Sequence, residues 1–144
     1  MSRLVDPRGL RFAAAVTAIV LALVIVTGNG WLLAAQAGVF AVGAALGLRY
    51  APYGALFRVG VAARLRSPVE REPEGPPRFA QALGFVFAAV GLAGYAAGVT
   101  WLFFVATAFA WVAAFLNAAF GFCLGCEFYL LFRRVLPIRK GVPA

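Results

Sequence analysis

The sequence predicts an all-α integral membrane protein, with four transmembrane helices arranged as two tandem helical hairpins and both termini on the cytoplasmic side. Three observations lead there: the apolar composition, four long apolar runs, and the confinement of positive charge to three segments. Of 144 residues, 64% are hydrophobic and only 12% charged, and the mean hydropathy is +0.92. Soluble domains carry about 25% charged residues, so this chain has too few to keep a closed surface wet, and soluble enzyme folds are excluded. The charge is lopsided, with 13 Lys or Arg against 5 Asp or Glu for a net of +8. On so apolar a chain the excess reports membrane orientation rather than nucleic-acid binding.

The apolar runs are Phe12 to Thr27, Trp31 to Leu48, Ala82 to Val99, and a longer one from Trp101 to Phe132. At 1.5 Å per residue the first three cover about 24 to 27 Å, close to the hydrocarbon thickness of a bilayer. Every backbone polar group in lipid needs an internal partner, and Ala-rich runs without strand alternation meet that demand only as helices. The expected helices are 8–27, 31–49, 78–98 and 101–132, in one membrane domain over 1–144. Asp6 before Pro7 reads as an N-cap with a first-turn proline, and Pro76-Pro77 starts the third helix in the same way.

Runs one and two are separated by Thr27-Gly28-Asn29-Gly30, and runs three and four by Gly98-Val99-Thr100, so each pair forms a tight hairpin. Neither turn carries a charge. The basic residues fall at the N-terminus, in the middle segment from Arg49 to Arg78, and after Phe132. By the positive-inside rule the termini and the central loop are cytoplasmic, and the turns, each beside a tryptophan anchor (Trp31, Trp101), face outward. The expected location is the inner membrane of a bacterial cell, with the lipid bilayer as the first partner.

The hairpins echo one another. Arg11-Phe12-Ala13 corresponds to Arg78-Phe79-Ala80, and Leu56-Phe57-Arg58-Val59 to Leu131-Phe132-Arg133-Arg134-Val135. The Trp-to-Phe spacing is 26 in the first hairpin and 31 in the second, so the second copy carries five more residues. Both copies enter and leave on one side, which makes the repeat parallel; chance likeness between Ala-rich helices is the competing reading. Between them, 50–77 is a cytoplasmic linker. Pro52 to Arg66 has an apolar face suited to the leaflet surface, and Ser67 to Pro77 reads as exposed coil. The spacings Gly43/Gly47, Gly94/Gly98 and Gly121/Gly125 are those of close helix packing. Gln36, Gln81 and Asn117 read as interhelical hydrogen-bonding groups.

The fourth run is too long for one crossing, at about 48 Å as a single helix, and part of it must tilt, bend or protrude. Its surplus contains Phe120-Gly121-Phe122-Cys123-Leu124-Gly125-Cys126-Glu127, with both cysteines of the chain. On a helix Cys123 and Cys126 share a face and Glu127 is four residues from Cys123, so two thiols and a carboxyl form one patch. Counting from Trp101 and back from Arg133 puts that patch at the cytoplasmic boundary. There thiols are kept reduced, so a reactive or metal-ligating pair is expected rather than a persistent disulfide. Cys123, Cys126 and Glu127 are therefore the candidate catalytic residues, with Glu127 as a proton relay. Simple packing of small apolar cysteines is the plain alternative. No cofactor and no metal is expected, because two thiolates and one carboxylate leave a tetrahedral site incomplete; a homodimer pooling Cys123 and Cys126 would complete one.

Three stretches, Val5-Asp6-Pro7-Arg8, Pro77-Arg78-Phe79-Ala80-Gln81 and Asn117-Ala118-Ala119-Phe120-Gly121-Phe122-Cys123-Leu124-Gly125-Cys126-Glu127, resemble small bacterial four-helix membrane proteins of domain of unknown function 4395. The resemblance covers about residues 5 to 134. It implies an architecture and a signature cysteine pair rather than a reaction. It also implies association with thioredoxin-like and rhodanese-like sulfurtransferase proteins, which suits thiol or sulfane-sulfur handling. Similarity to quinone-coupled disulfide-forming membrane enzymes is analogy only, since this chain lacks their second cysteine pair and places its thiols on the opposite side. The expected function is thiol-disulfide or sulfane-sulfur exchange at the cytoplasmic face with a thioredoxin-like or rhodanese-like partner. Competing expectations are a transport or channel component for a small sulfur species or soft metal ion, and a non-catalytic membrane anchor.

Overall fold

The computed structural model describes residues 4–5, 7–47, 52–61, 72–73 and 75–135. Among them are six helices: α1 (Pro7–Thr27), α2 (Gly30–Ala45), α3 (Pro52–Leu56, continuing as a π-turn over Phe57–Val61), α4 (Gly75–Ala97), α5 (Thr100–Phe120) and α6 (Leu124–Val135). α1, α4 and α5 are each long and apolar enough to cross a membrane, whereas α2 is apolar but has only 16 residues. One small addition to the all-helical expectation is a two-residue antiparallel pair joining Leu4–Val5 to Glu72–Pro73, inside what read as exposed coil. The Asp6 cap and residues 62–71, including the rest of the interfacial helix expected to Arg66, lie outside the described residues.

Each hairpin turns in two residues. Gly28 and Gly98 both take left-handed φ values, +65° and +79°. Asn29 caps α2 through its Oδ1, which accepts the N–H groups of Trp31 and Leu32 at 2.9 and 3.3 Å. Trp31 and Trp101 stand exposed beside these turns.

The helices then pack crosswise. α2 lies against α4 and α1 against α5, while α4 and α5 pack along their own hairpin. Close approaches fix the direction: a methyl at Gly30 would meet Tyr95, one at Gly84 would meet Phe40, and one at Gly43 would meet Gln81. α2 and α4 are therefore antiparallel, and both turns lie at one end of the bundle. Leu21, Val24, Leu33, Ala37, Phe40, Ala88, Phe103 and Ala110 make the shared core. Gln36 is 1% exposed and accepts a 2.6 Å hydrogen bond from the Tyr53 hydroxyl of α3. Burial pushes the Tyr53 phenol above its ordinary value of 10, so it remains a donor at neutral pH. Outward, Ile19, Val26, Val86, Val90, Phe109 and Val112 are exposed. So broad an apolar exterior is the mark of a lipid-facing surface.

The far ends of α2 and α5 are closed by arginines from the opposite hairpin. Arg78 of α4 donates from Nε and Nη2 to the Ala44 carbonyl at 3.1 and 2.7 Å, and from Nη2 to Ala45 at 3.0 Å. Arg11 of α1 donates from Nη2 to Ala118 and Ala119 of α5 at 3.0 and 3.2 Å. The last carbonyls of a helix have no partner within it, and a cation there also complements the helix dipole. Beside each arginine a phenylalanine packs on the segment that follows its own hairpin: Phe12 on Phe57 (centroids 5.6 Å) and Phe79 on Phe132 (6.1 Å).

The main correction concerns the last helix. The single helix expected over 101–132 is two, α5 and α6, broken at Gly121–Cys123. Gly121 adopts φ +71° and its N–H donates to Asn117 O at 2.9 Å, terminating α5 as a left-handed glycine does. α5 has 21 residues, about 31 Å, and can cross the hydrocarbon core without the surplus. It is five residues longer than α2, which locates the difference between the two Trp-to-Phe spacings.

Replacing Arg78 with Ala is expected to lower stability by about 1 to 2 kcal/mol through the loss of charge-assisted caps. Gly38→Ala, with open space around its Cβ position, is expected to leave the thermal midpoint in detergent unchanged or raised. Equal midpoints for Arg78→Ala and the parent protein would show that the cap carries no stability.

Candidate functional site

The site begins where α5 stops. Gly121 turns the chain out of α5 beside the Arg11 guanidinium, the nearest group to its Cβ position at 3.8 Å. Three residues later α6 starts, with Cys123 at its N-cap. The Cys123 sulfur accepts the Cys126 backbone N–H at 3.1 Å, and the Cys123 carbonyl accepts the Glu127 N–H at 3.0 Å. Sulfur thus occupies the place that a serine or aspartate oxygen takes in an ordinary N-cap. Both cysteines are half-buried, and they are joined by a disulfide with Cα atoms 5.1 Å apart. The sequence pointed to a reduced pair; the structure holds the oxidised one.

α6 is seated on α4 by a contact that explains the residue between the cysteines. A methyl at Gly125 would come within 2.5 Å of Ala80 Cα and Cβ. Tyr129 and Phe132 continue the seam on Phe79, with centroids 5.7 and 6.1 Å apart. The run Arg78-Phe79-Ala80-Gln81 is thereby accounted for residue by residue: it caps α2, stacks on α6, admits Gly125 and packs on Gly43.

Glu127 is placed differently from the single patch expected. It lies in the first turn of α6, exposed, with its side chain in a shallow groove lined by Leu124, Phe128, Leu130, Leu131 and Arg134. Among the described residues its carboxylate has no hydrogen-bond or ion-pair partner. The break at Gly121 is the reason: Glu127 sits past the end of α5 rather than inside a span, so the cost of burying an ion in lipid does not apply to it. A first-turn anion instead complements the helix N-terminus.

Two features were missed from sequence. Arg11 and Arg78 were read only as orientation charges, although their repeated Arg-Phe-Ala setting was the available signal. The glycine pairs read as packing motifs divide their labour. Gly43, Gly94 and Gly125 receive close contacts, whereas Gly47, Gly98 and Gly121 take positive φ at helix ends.

Gly125→Ala is expected to lift α6 off Ala80 at a cost of about 1 to 3 kcal/mol. Gly121→Ala is expected to cost about 1 to 2 kcal/mol for a Cβ in left-handed backbone, and Gly121→Asn less. Thermal midpoints in detergent check the ranking; a Gly125→Ala variant as stable as Gly38→Ala would remove the close seam.

No curated protein and no solved structure shows a significant match to this chain. Residues 5–134 match the family described as Domain of unknown function (DUF4395), and the chain belongs to that family.

Proposed function

We propose that this is a four-span inner-membrane protein of bacteria whose Cys123–Cys126 pair exchanges disulfides with a water-soluble thiol protein at the cytoplasmic face. The observation that carries the reading is the position of the pair: Cys123 caps the free N-terminus of a helix, immediately beyond a segment long enough to span the bilayer. Helix N-termini favour the thiolate of a cysteine, so Cys123 is the attacking and attacked sulfur and Cys126 the resolving one. α2, shorter than the others, makes the remaining crossing, tied to α4 along its length. Both termini and all the basic segments then lie in the cytoplasm.

The chemistry balances within the two proteins. A thiolate of a reduced thioredoxin-like dithiol attacks Cys123 Sγ, a mixed disulfide forms, and Cys126 leaves as a thiolate. The second thiolate of the partner attacks its own mixed-disulfide sulfur, releasing Cys123 as a thiolate. Two electrons and two protons have passed from the partner dithiol to the membrane pair, and the reverse sequence returns them. Sulfane sulfur follows the same route: Cys123 thiolate takes the outer sulfur of a rhodanese-like persulfide and releases the partner thiolate. Cys126 then displaces hydrosulfide, closing the disulfide.

In membranes isolated without reductant, thiol alkylation is expected to tag neither cysteine until a reductant is added. Cys126→Ser is expected to trap a mixed disulfide through Cys123, while Cys123→Ser traps none. Absence of any disulfide or persulfide at the pair under oxidising and reducing conditions alike overturns the proposal. After reduction, a membrane-impermeant maleimide is expected to label the pair in inside-out vesicles and not in right-side-out ones; the opposite pattern reverses the orientation.

A further inference from the structure

The outer surface of α6 is divided more sharply than that of any bundle helix. At 3.6 residues per turn, Leu124, Phe128, Leu131 and Val135 form one stripe along it. Phe128, Leu131 and Val135 are 50%, 53% and 66% exposed, so no described part of the chain covers the stripe. The neighbouring face is occupied by α4 at Gly125 and Tyr129, with Phe132 resting one edge on Phe79 and otherwise exposed. Cys126 and Arg133 lie on the side opposite the stripe. Arg133 is held there by Tyr129, whose hydroxyl accepts from Nη1 at 3.4 Å, with the guanidinium 5.8 Å above the ring.

We infer that α6 is seated on an anionic lipid leaflet, its stripe among the upper acyl chains, Arg134 at the phosphates, and Cys126 held on the water side. The inference rests on the reading above that α5 crosses the bilayer, because only three residues separate the end of α5 from the start of α6, which so emerges at headgroup depth. Charge agrees: the last turn of α6 carries Arg133 and Arg134, and the only acid on the helix is Glu127. An amphipathic helix with a basic end at that depth binds anionic headgroups. The consequence for the exchange reaction is directional, since the disulfide is presented to water and a soluble partner reaches it from above the leaflet.

The test uses the full chain with Cys123 and Cys126 replaced by Ser, so that its outcome is independent of thiol exchange. A single cysteine is introduced by Phe128→Cys, Leu131→Cys, Leu130→Cys or Arg133→Cys and labelled with a fluorophore. Each protein is reconstituted in nanodiscs of phosphatidylcholine with or without phosphatidylglycerol. With the anionic lipid, labels at 128 and 131 are expected to be at least about threefold more sensitive to a chain-borne quencher than labels at 130 and 133, and the order to reverse for aqueous iodide. Removing phosphatidylglycerol is expected to raise iodide access at 128 by about twofold or more. Iodide access at 128 and 131 equal to that at 133 overturns the inference, as does protection of both stripe positions from both quenchers, which would mean that protein covers them. Identical results in the two lipid compositions overturn the assignment to an anionic leaflet.

Discussion

The architecture hangs on two crossed caps. Helices that stop at a membrane boundary leave four carbonyls each without an internal partner, at a depth where water is scarce. Here the last turns of α2 and α5 are closed by Arg78 and Arg11, each reaching from the first helix of the other hairpin. The interaction does two things at once. It satisfies the carbonyls with charge-assisted hydrogen bonds, and it ties two hairpins whose own helices α1 and α2 share little contact into one bundle. With the end of α5 pinned beside Arg11, the chain turns at Gly121 and Cys123 falls at the head of the next helix. The position of the pair is thus tied to an arginine more than a hundred residues away.

Much of this scaffold was legible in the sequence because membranes impose few solutions. Run lengths and uncharged turns located α1, α2 and α4 to within a few residues, and the five-residue excess between the two Trp-to-Phe spacings reappears as the extra length of α5. That the last run had to bend or protrude was legible from its length, whereas whether it breaks at Gly121 was left open for a physical reason. Phe120, Phe122, Leu124 and Phe128 keep the run apolar through the junction, and hydropathy is blind to backbone dihedrals. The glycine that ends α5 looks, in composition, the same as Gly125, which only packs. The disulfide was unforeseen on other grounds, since the compartment argument speaks for cytosolic thiols in general, whereas two cysteines at the first turn of one helix lie close enough to pair.

The position of Glu127 follows from the same break. On one continuous helix its carboxylate would join the thiols on one face at the cytoplasmic boundary of the span, where an ion against lipid is costly enough to demand a purpose. Moved to the first turn of a separate surface helix, it needs none beyond the helix N-terminus it faces. Under the proposed exchange, a thiolate at Cys123 would draw its stabilisation from the backbone N–H of Cys126, which already donates to that sulfur.

The two halves differ most where they should match. Phe57 follows the end of α2 by twelve residues, and Phe132 follows the end of α5 by the same interval. Yet Phe57 is 4% exposed, wedged between Phe12 and Gly9, while Phe132 is 52% exposed. In this register Cys123 and Cys126 correspond to Leu48 and Ala51. Leu48 and Ala51 lie outside the described residues; by sequence alone the first half has apolar residues where the second has sulfur. An incoming thiolate must approach along the S–S axis, which a segment closed into the bundle forbids. Under the proposed exchange, α6, held on α4 through Gly125 and Tyr129 with Cys126 on another side, would leave that line of approach open.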